Sequence, residues 1–321
     1  MTTTVLVPLD GSDKDERALP AAAALADLTD GALHLIRVLE PPDDTLVPRA
    51  RTLGIADVMH EEREGMERSV RGTAERLAAV TRHPVSAEVA DGPDVAATLL
   101  RRAEERHADV VVMATRGAGA LGRALRGSVA DRIVRESPRP VVLVPPGADD
   151  TSGKRIELRR VLIPLDGSAL SLSAVDHLLA LPHGDELEYV LLEVIPPAAT
   201  IIAATPDAPA WAATLATAEA YLGATDIGQV RAAAEQRLNT VADRLRARGA
   251  QIVDVRVVEA TDPAAAIAAA VRRELADFIA MSTHGLSGFK RMVLGSVAGK
   301  VVRESDAPVL LVTARDSTSQ R

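Results

Sequence analysis

The chain repeats itself, and that feature limits the fold more than any other. Val5-Leu6-Val7-Pro8-Leu9-Asp10-Gly11-Ser12 returns as Val161-Leu162-Ile163-Pro164-Leu165-Asp166-Gly167-Ser168, 156 positions later. Gly127-Ser128-Val129-Ala130 returns as Gly295-Ser296-Val297-Ala298, and Arg135-Glu136-Ser137 as Arg303-Glu304-Ser305, both 168 positions later. Several motifs in the same order indicate a duplicated unit. The larger second offset means the second copy carries 12 extra residues, which fall between Pro197 and Asp226. The turn-forming stretch from Pro145 to Gly153 has no apolar period, so the join is placed near Gly153. The expected organisation is a first domain over 1–146, a linker over 147–157 and a second domain over 158–321.

Each copy alternates strand and helix. In the first, Thr3–Leu9 reads as a continuous apolar strand, and Ser12 as the cap of a helix with Asp13 and Glu16 in its first turn and Asp15 three residues on. Leu33–Leu39 is the next strand, about 57–82 a long helix and Val85–Ala90 a third strand. Gly92-Pro93 starts a helix that runs to about His107. Asp109–Thr115 lacks alternation and so reads as a strand buried on both faces. A Gly-rich loop, a short helix from about Gly127 to Glu136 and the strand Pro140–Val144 complete the copy. Such alternation implies βαβ units on a parallel sheet with right-handed crossovers, a doubly wound α/β domain with helices on both faces. Aromatic residues are only 2% of the chain while hydrophobic residues are 47%, so the cores must be filled by Ala, Val, Leu and Ile.

Composition excludes several functions. A net charge of −8 disfavours general nucleic-acid binding, which needs clustered Lys and Arg. With no cysteine there is no disulfide, thiolate metal site or thiol catalysis. No apolar run approaches a membrane span and no signal-peptide pattern opens the chain, so the expected address is the cytosol.

In a doubly wound sheet, ligands bind where the strand order reverses, beyond the carboxyl ends of strands one and four. After strand four the copies read Ala114-Thr115-Arg116-Gly117 and Ser282-Thr283-His284-Gly285. Nine residues follow in each before Gly127-Ser128 and Gly295-Ser296. Both Gly-Ser pairs open an expected helix, where free amides and the helix dipole suit phosphate, against a plain helix start as the alternative. Arg123 and Arg291, each four residues before that Gly, are placed to reach phosphate. After strand one, Asp10-Gly11 and Asp166-Gly167 offer a carboxylate, for a nucleoside or a metal beside phosphates, and room for a planar base. Against that stands a turn carboxylate flanking a helix. Arg116 and His284 differ at equivalent places, which argues against a shared catalytic role. His34, His60, His83, His107, His177 and His183 show no repeated ligand spacing and are expected in surface or capping roles. Gly117-Ala118-Gly119-Ala120-Leu121-Gly122 spells a dinucleotide fingerprint. It follows the fourth strand rather than the first and has no second copy, so it is set aside. No P-loop string occurs. The insertion, about 198–225 with Trp211 and Tyr221, reads as a surface helix, or as a lid or contact segment.

These motifs resemble the ATP-binding branch of the universal stress protein family, whose signature is Gly, two residues, Gly, nine residues, Gly-Ser or Gly-Thr. Both copies match except at the first Gly, here Ala114 and Ser282. The resemblance covers the chain apart from linker and insertion. It implies a five-stranded parallel sheet of order 3-2-1-4-5 in each half. It also implies a nucleotide site formed by Pro8, Leu9, Asp10, Gly11, Val38, Met113, Ala114, Arg116, Gly117, Arg123, Gly127, Ser128 and Val129. The second copy contributes Pro164, Leu165, Asp166, Gly167, Val194, Met281, Ser282, His284, Gly285, Arg291, Gly295, Ser296 and Val297. The expected ligand is ATP, accompanied by Mg or Mn at the phosphates; no metal ligand is assigned, with Asp10 and Asp166 as the option for Mg. The resemblance further implies an intramolecular pseudo-dimer in which the last strands pair antiparallel, and a protein partner; a homodimer is a further option. The expected role is stress-response regulation rather than catalysis, against slow nucleotide hydrolysis or transfer, or a structural module with empty crevices.

Overall fold

Apolar runs rich in Val and Leu become the inner strands, and Ala-rich helices lie against them. The computed structural model describes residues 3–12, 14–41, 55–115, 129–149, 157–197, 227–283 and 294–313. It divides into two units, Met1–Ile156 and Glu157–Arg321.

The first unit runs β1 (Thr4–Pro8), α1 (Ala18–Thr29), β2 (Ala32–Leu39), α2 (Ile55–Ala78), β3 (Val85–Asp91), α3 (Val95–Glu105), β4 (Val110–Ala114), α4 (Val129–Glu136) and β5 (Val141–Val144). All pairings within it are parallel and give the order β3-β2-β1-β4-β5. The second unit repeats this with β6 (Arg160–Pro164), α5 (Leu172–Leu179), β7 (Glu188–Ile195), α6 (Ile227–Ala247), β8 (Ile252–Glu259), α7 (Pro263–Arg273), β9 (Phe278–Ser282), α8 (Ser296–Glu304) and β10 (Val309–Val312). Its order is β8-β7-β6-β9-β10, again all parallel. The expected doubly wound fold is therefore present twice.

The inner strands explain the missing alternation. Val5, Leu6, Val7, Val161, Leu162 and Ile163 are all fully buried, as strands covered by helices on both faces must be. Burying one such Leu is worth about 1.5–3 kcal/mol. α1 is built almost wholly of Ala and Leu and buries Ala18, Ala22, Leu25 and Ala26 among others, so its backbone lies close to the sheet. It ends at Asp30, in left-handed conformation (φ 48°), ahead of Gly31.

Carboxylates lock the sheet at its other end. Asp109, just before β4, accepts from the first amide of β1, Thr4, at 2.8 Å. Asp277, its counterpart before β9, accepts from the amides of Arg159 and Arg160 at 2.9 and 2.7 Å. The same clip thus fixes strand one beside strand four in each unit. Ser137 and Ser305, both buried, bend the chain into the last strand by the same pair of bonds: each hydroxyl bonds to the carbonyl and the amide two residues on.

Two local expectations change. Ser12 makes no helix cap: its amide donates to Asp10 Oδ1 at 2.7 Å, a short turn of its own, and a 3-10 turn at Asp15–Arg17 precedes α1. The helix expected from Gly92-Pro93 starts later, at Val95, because Asp94 is its cap and accepts from Ala97 N at 2.9 Å.

Candidate functional site

The crevice begins where β1 and β6 end. Asp10 Oδ1 accepts from Ser12 N at 2.7 Å, and Asp166 Oδ1 accepts from Ser168 N at 3.0 Å. Between them the chain must turn through positive φ, 89° at Gly11 and 78° at Gly167, which only glycine enters freely. In the first unit the turn is closed by Asp15, whose Oδ2 accepts from Asp10 N at 2.6 Å. In the second a serine network closes it: Ser168 Oγ donates to Asp166 Oδ1 at 2.6 Å and accepts from Ser171 N at 3.1 Å.

Strand register brings the neighbouring residues to the same end. Leu9 N donates to Ile36 O and Leu165 N to Leu192 O, both at 2.8 Å. The ladders end at Pro8 with Ile36 and at Pro164 with Leu192, and Val38 and Val194 follow two residues further along β2 and β7. β1 pairs with β4 through Leu6 and Val111 and β6 with β9 through Leu162 and Ile279; Pro8, Met113, Pro164 and Met281 each follow two residues further toward the carboxyl ends. Met113 and Met281 are buried, while Asp10, Gly11, Asp166 and Gly167 are exposed at the rim. Apolar walls under a rim of carboxylate and backbone groups suit a flat, polar-edged ligand.

Ala114 and Ser282, where the expected signature has Gly, carry no backbone penalty. Among the described residues only Asp30, His107 and Leu275 are non-glycines with positive φ. Both positions are the last residues of their strands, in extended backbone that any residue adopts.

The start of α8 closes the second crevice. Gly295 N donates to Thr283 O at 3.0 Å, so the chain that leaves β9 returns to its tip. A Cβ at Gly295 would lie 3.3 Å from that carbonyl, which favours glycine there. Gly299 N donates to Gly295 O at 2.8 Å. The amides of Ser296, Val297 and Ala298 precede that bond and have no carbonyl four residues back within the helix. The bond from Gly295 N to Thr283 O therefore brings the start of α8, with Ser296 and Val297, to the end of β9, where Ser282 is the last strand residue. In the first unit Val129 begins α4. Arg116, Gly117, Arg123, Gly127, Ser128, His284, Gly285 and Arg291 lie outside the described residues, as do Asp13 and the insertion at about 198–225.

A bridge holds each final helix. Asp94, besides capping α3, takes an ion pair from Arg132 of α4; Asp262 caps α7, accepting from Ala265 N at 3.3 Å, and takes Lys300 of α8. The Ala97 amide, then Arg132, lower the Asp94 pKa. Lys300, then the Ala265 amide, lower that of Asp262.

Sequence reading missed three charged residues beside the crevice. Arg37 of β2 donates from Nη2 to the Asp10 carbonyl at 3.0 Å. Glu193, at the matching place on β7, is buried and ion-paired to Arg237 of α6. The 156-position offset puts Arg37 over Glu193, and that mismatch was the available signal. Two histidines also depart from expectation. His34 is buried, its Nδ1 2.8 Å from Ser86 Oγ and its Nε2 3.3 Å from Glu88 Oε1. His83 is buried against Asp27, Nε2 to Oδ1 2.9 Å. Both sit where adjacent elements supply partners more than fifty positions away in the chain, which no local pattern reveals. Burial lowers the His34 pKa despite the opposing pull of Glu88. Among the described residues, no three acidic or histidine side chains converge as a metal cage. Among the described residues no helix is long and apolar enough to cross a membrane.

Comparison with known proteins gives a consistent result. The universal stress protein family matches residues 1–145 and 157–313. A universal stress protein of Mycolicibacterium smegmatis is 28% identical over 315 residues, covering 97% of each chain. One from Thermus aquaticus is 33% identical over 146 residues, 45% of this chain and 99% of its own. A crystal structure of a universal stress protein from Archaeoglobus fulgidus shares the fold, with a TM-score of 0.62 at 20% identity over 98% of this chain and 97% of that one.

Proposed function

Because this chain belongs to the universal stress protein family, as a tandem of two family domains, we propose that each half is an adenine-nucleotide site and that the protein is an ATP-binding stress-response regulator of the cytosol. The domains are taken as 1–146 and 158–321, with 147–157 as the linker. The observation that carries the reading is the geometry of the second crevice. The support lies in three features: Gly167 turns at φ 78° after Asp166, Met281 and Ser282 end their strand buried, and Gly295 N donates to Thr283 O, which returns the first amides of α8 to that strand end. The base would lie on Pro164, Val194 and Met281, and on Pro8, Val38 and Met113 in the first half. The phosphates would take the amides of Ser296 and Val297, and of Ser128 and Val129. Arg123 and Arg291 would meet the phosphate tail.

A cation fits only in a subordinate role. Asp10 and Asp166 are one carboxylate apiece, each with an oxygen already accepting from the turn amide. Mg or Mn would therefore be held mainly by the phosphates themselves. Equilibrium dialysis of the purified chain with ATP and Mg is expected to return close to two nucleotides per chain. A value near zero would end the reading. Bound nucleotide stabilises the half that holds it, by mass action, and so couples ligand to any partner that prefers the ordered form.

A further inference from the structure

Each half lays a guanidinium against the glycine that follows its strand-one aspartate, but the two halves supply it from different elements. In the first half it is Arg37, from β2. A Cβ at Gly11 would lie 2.5 Å from Arg37 Nη2 and 2.6 Å from Cζ, so the guanidinium rests directly on that glycine. In the second half β7 carries Glu193 at the Arg37 position, and the cation comes from Arg237 on α6, where the first half has Ser69. A Cβ at Gly167 would lie 3.4 Å from Arg237 Nε.

The two cations differ in what they already hold. Arg237 is committed to a buried carboxylate, with Nη2 paired to Glu193 Oε1 and Nε 3.4 Å from Oε2. Among the described residues Arg37 bonds to no carboxylate. Its one bond is Nη2 to the neutral Asp10 carbonyl at 3.0 Å, and its Nε is buried with no partner. A buried donor without an acceptor costs free energy that an incoming oxygen recovers. A guanidinium has five donors, and a fork of this kind matches phosphate oxygens bidentately.

From this juxtaposition we infer that Arg37 is a specificity-determining residue: it makes the first crevice the more anion-avid of the two, whereas Glu193 neutralises the corresponding cation in the second. The ligand class is a nucleotide whose phosphate can fold back toward the base end of the crevice. The inference rests on the proposed nucleotide sites and fails with them.

The test is calorimetric titration of the full chain with ATP and Mg at several salt concentrations. The variants are Arg37→Gln, Arg37→Lys and Glu193→Gln, with urea unfolding of each in the absence of nucleotide. The expected result for Arg37→Gln is one site weakened by about tenfold, the loss typical of a charge-assisted bond, with a flatter salt dependence and the other site unchanged. Arg37→Lys restores the salt dependence, because the charge is back, but not the full affinity, because the fork is not. Glu193→Gln releases Arg237 and tightens the second site. If Arg37→Gln leaves both sites as they were, or weakens both equally, the inference is overturned while the nucleotide reading stands. If the unaltered chain takes up no ATP at either half, both are overturned together.

Discussion

The two halves keep the same mechanical parts and exchange the charges around them. The carboxylate clip at Asp109 recurs at Asp277, the helix bridge Asp94–Arg132 recurs as Asp262–Lys300, and the Arg63–Asp91 pair recurs as Arg231–Glu259. Elsewhere the sign reverses. Glu88 of β3 pairs with Arg106 after α3; at the same places the second half has Arg256 and Glu274, 3.0 Å apart. Arg37 and Glu193 also hold equivalent places with opposite charge, but there only the second half completes an ion pair, Glu193 with Arg237. A bridge can be inverted without loss provided both members change, because only their attraction is structural. The glycine turns recur unchanged in both halves, so they and the Gly295 contact bear the functional reading and the surface pairs do not.

The comparison can be broken first in the cores. Leu6 and Leu162 are the same position, both fully buried in the central strand. Leu6→Ala and Leu162→Ala are expected to cost about 2–5 kcal/mol each, through lost burial and the cavity left behind. Urea unfolding followed for each half measures this, and a clear inequality would show that the two frames are not mechanically equivalent. Next come the bridges. Asp94→Ala and Asp262→Ala each remove a helix cap, worth about 1 kcal/mol. The exposed ion pair adds little, because solvent screens it. Both variants should lower the melting temperature by similar amounts, and a silent substitution in either half would break the parallel.

The smallest effect sharpens a difference. His34 has its folded pKa lowered from 6.5 by burial, and the second half has Val190 in its place. Below pH 6.5 the unfolded chain takes up the proton before the folded one does, so the first half loses stability as pH falls from 6.5 toward the folded value. At the equivalent position the second half has no titratable side chain. His34→Val should remove the first half's slope in a series of unfolding curves between pH 7 and pH 5, with the second half as internal control. A slope that persists would place its origin elsewhere.

Much of this architecture was legible in the chain. The strand expected at Thr3–Leu9 is Thr4–Pro8, and the long helix expected at about 57–82 is Ile55–Ala78. Continuous apolar runs and repeated offsets report burial on both faces directly, and burial is what fixes a parallel sheet. The capping pattern at Ser12 misled because Asp10 competes for that amide from two residues back. The aspartates and glycines of the crevice were also legible, because each repeats. Arg37 and Arg237 were not, since a long side chain reaches its place in space from whichever element is near. Such equivalence exists only in three dimensions.

The clip at Asp109 has a consequence for how the chain is made. Its bond to Thr4 spans 105 residues, and those from Asp277 span 118 and 117. During synthesis the first strand leaves the ribosome long before the carboxylate that seats it, and waits with only one of its two neighbours, β2, within reach. Each half can complete its sheet only after its fourth strand has emerged, and the first is free to do so while the second is still being translated.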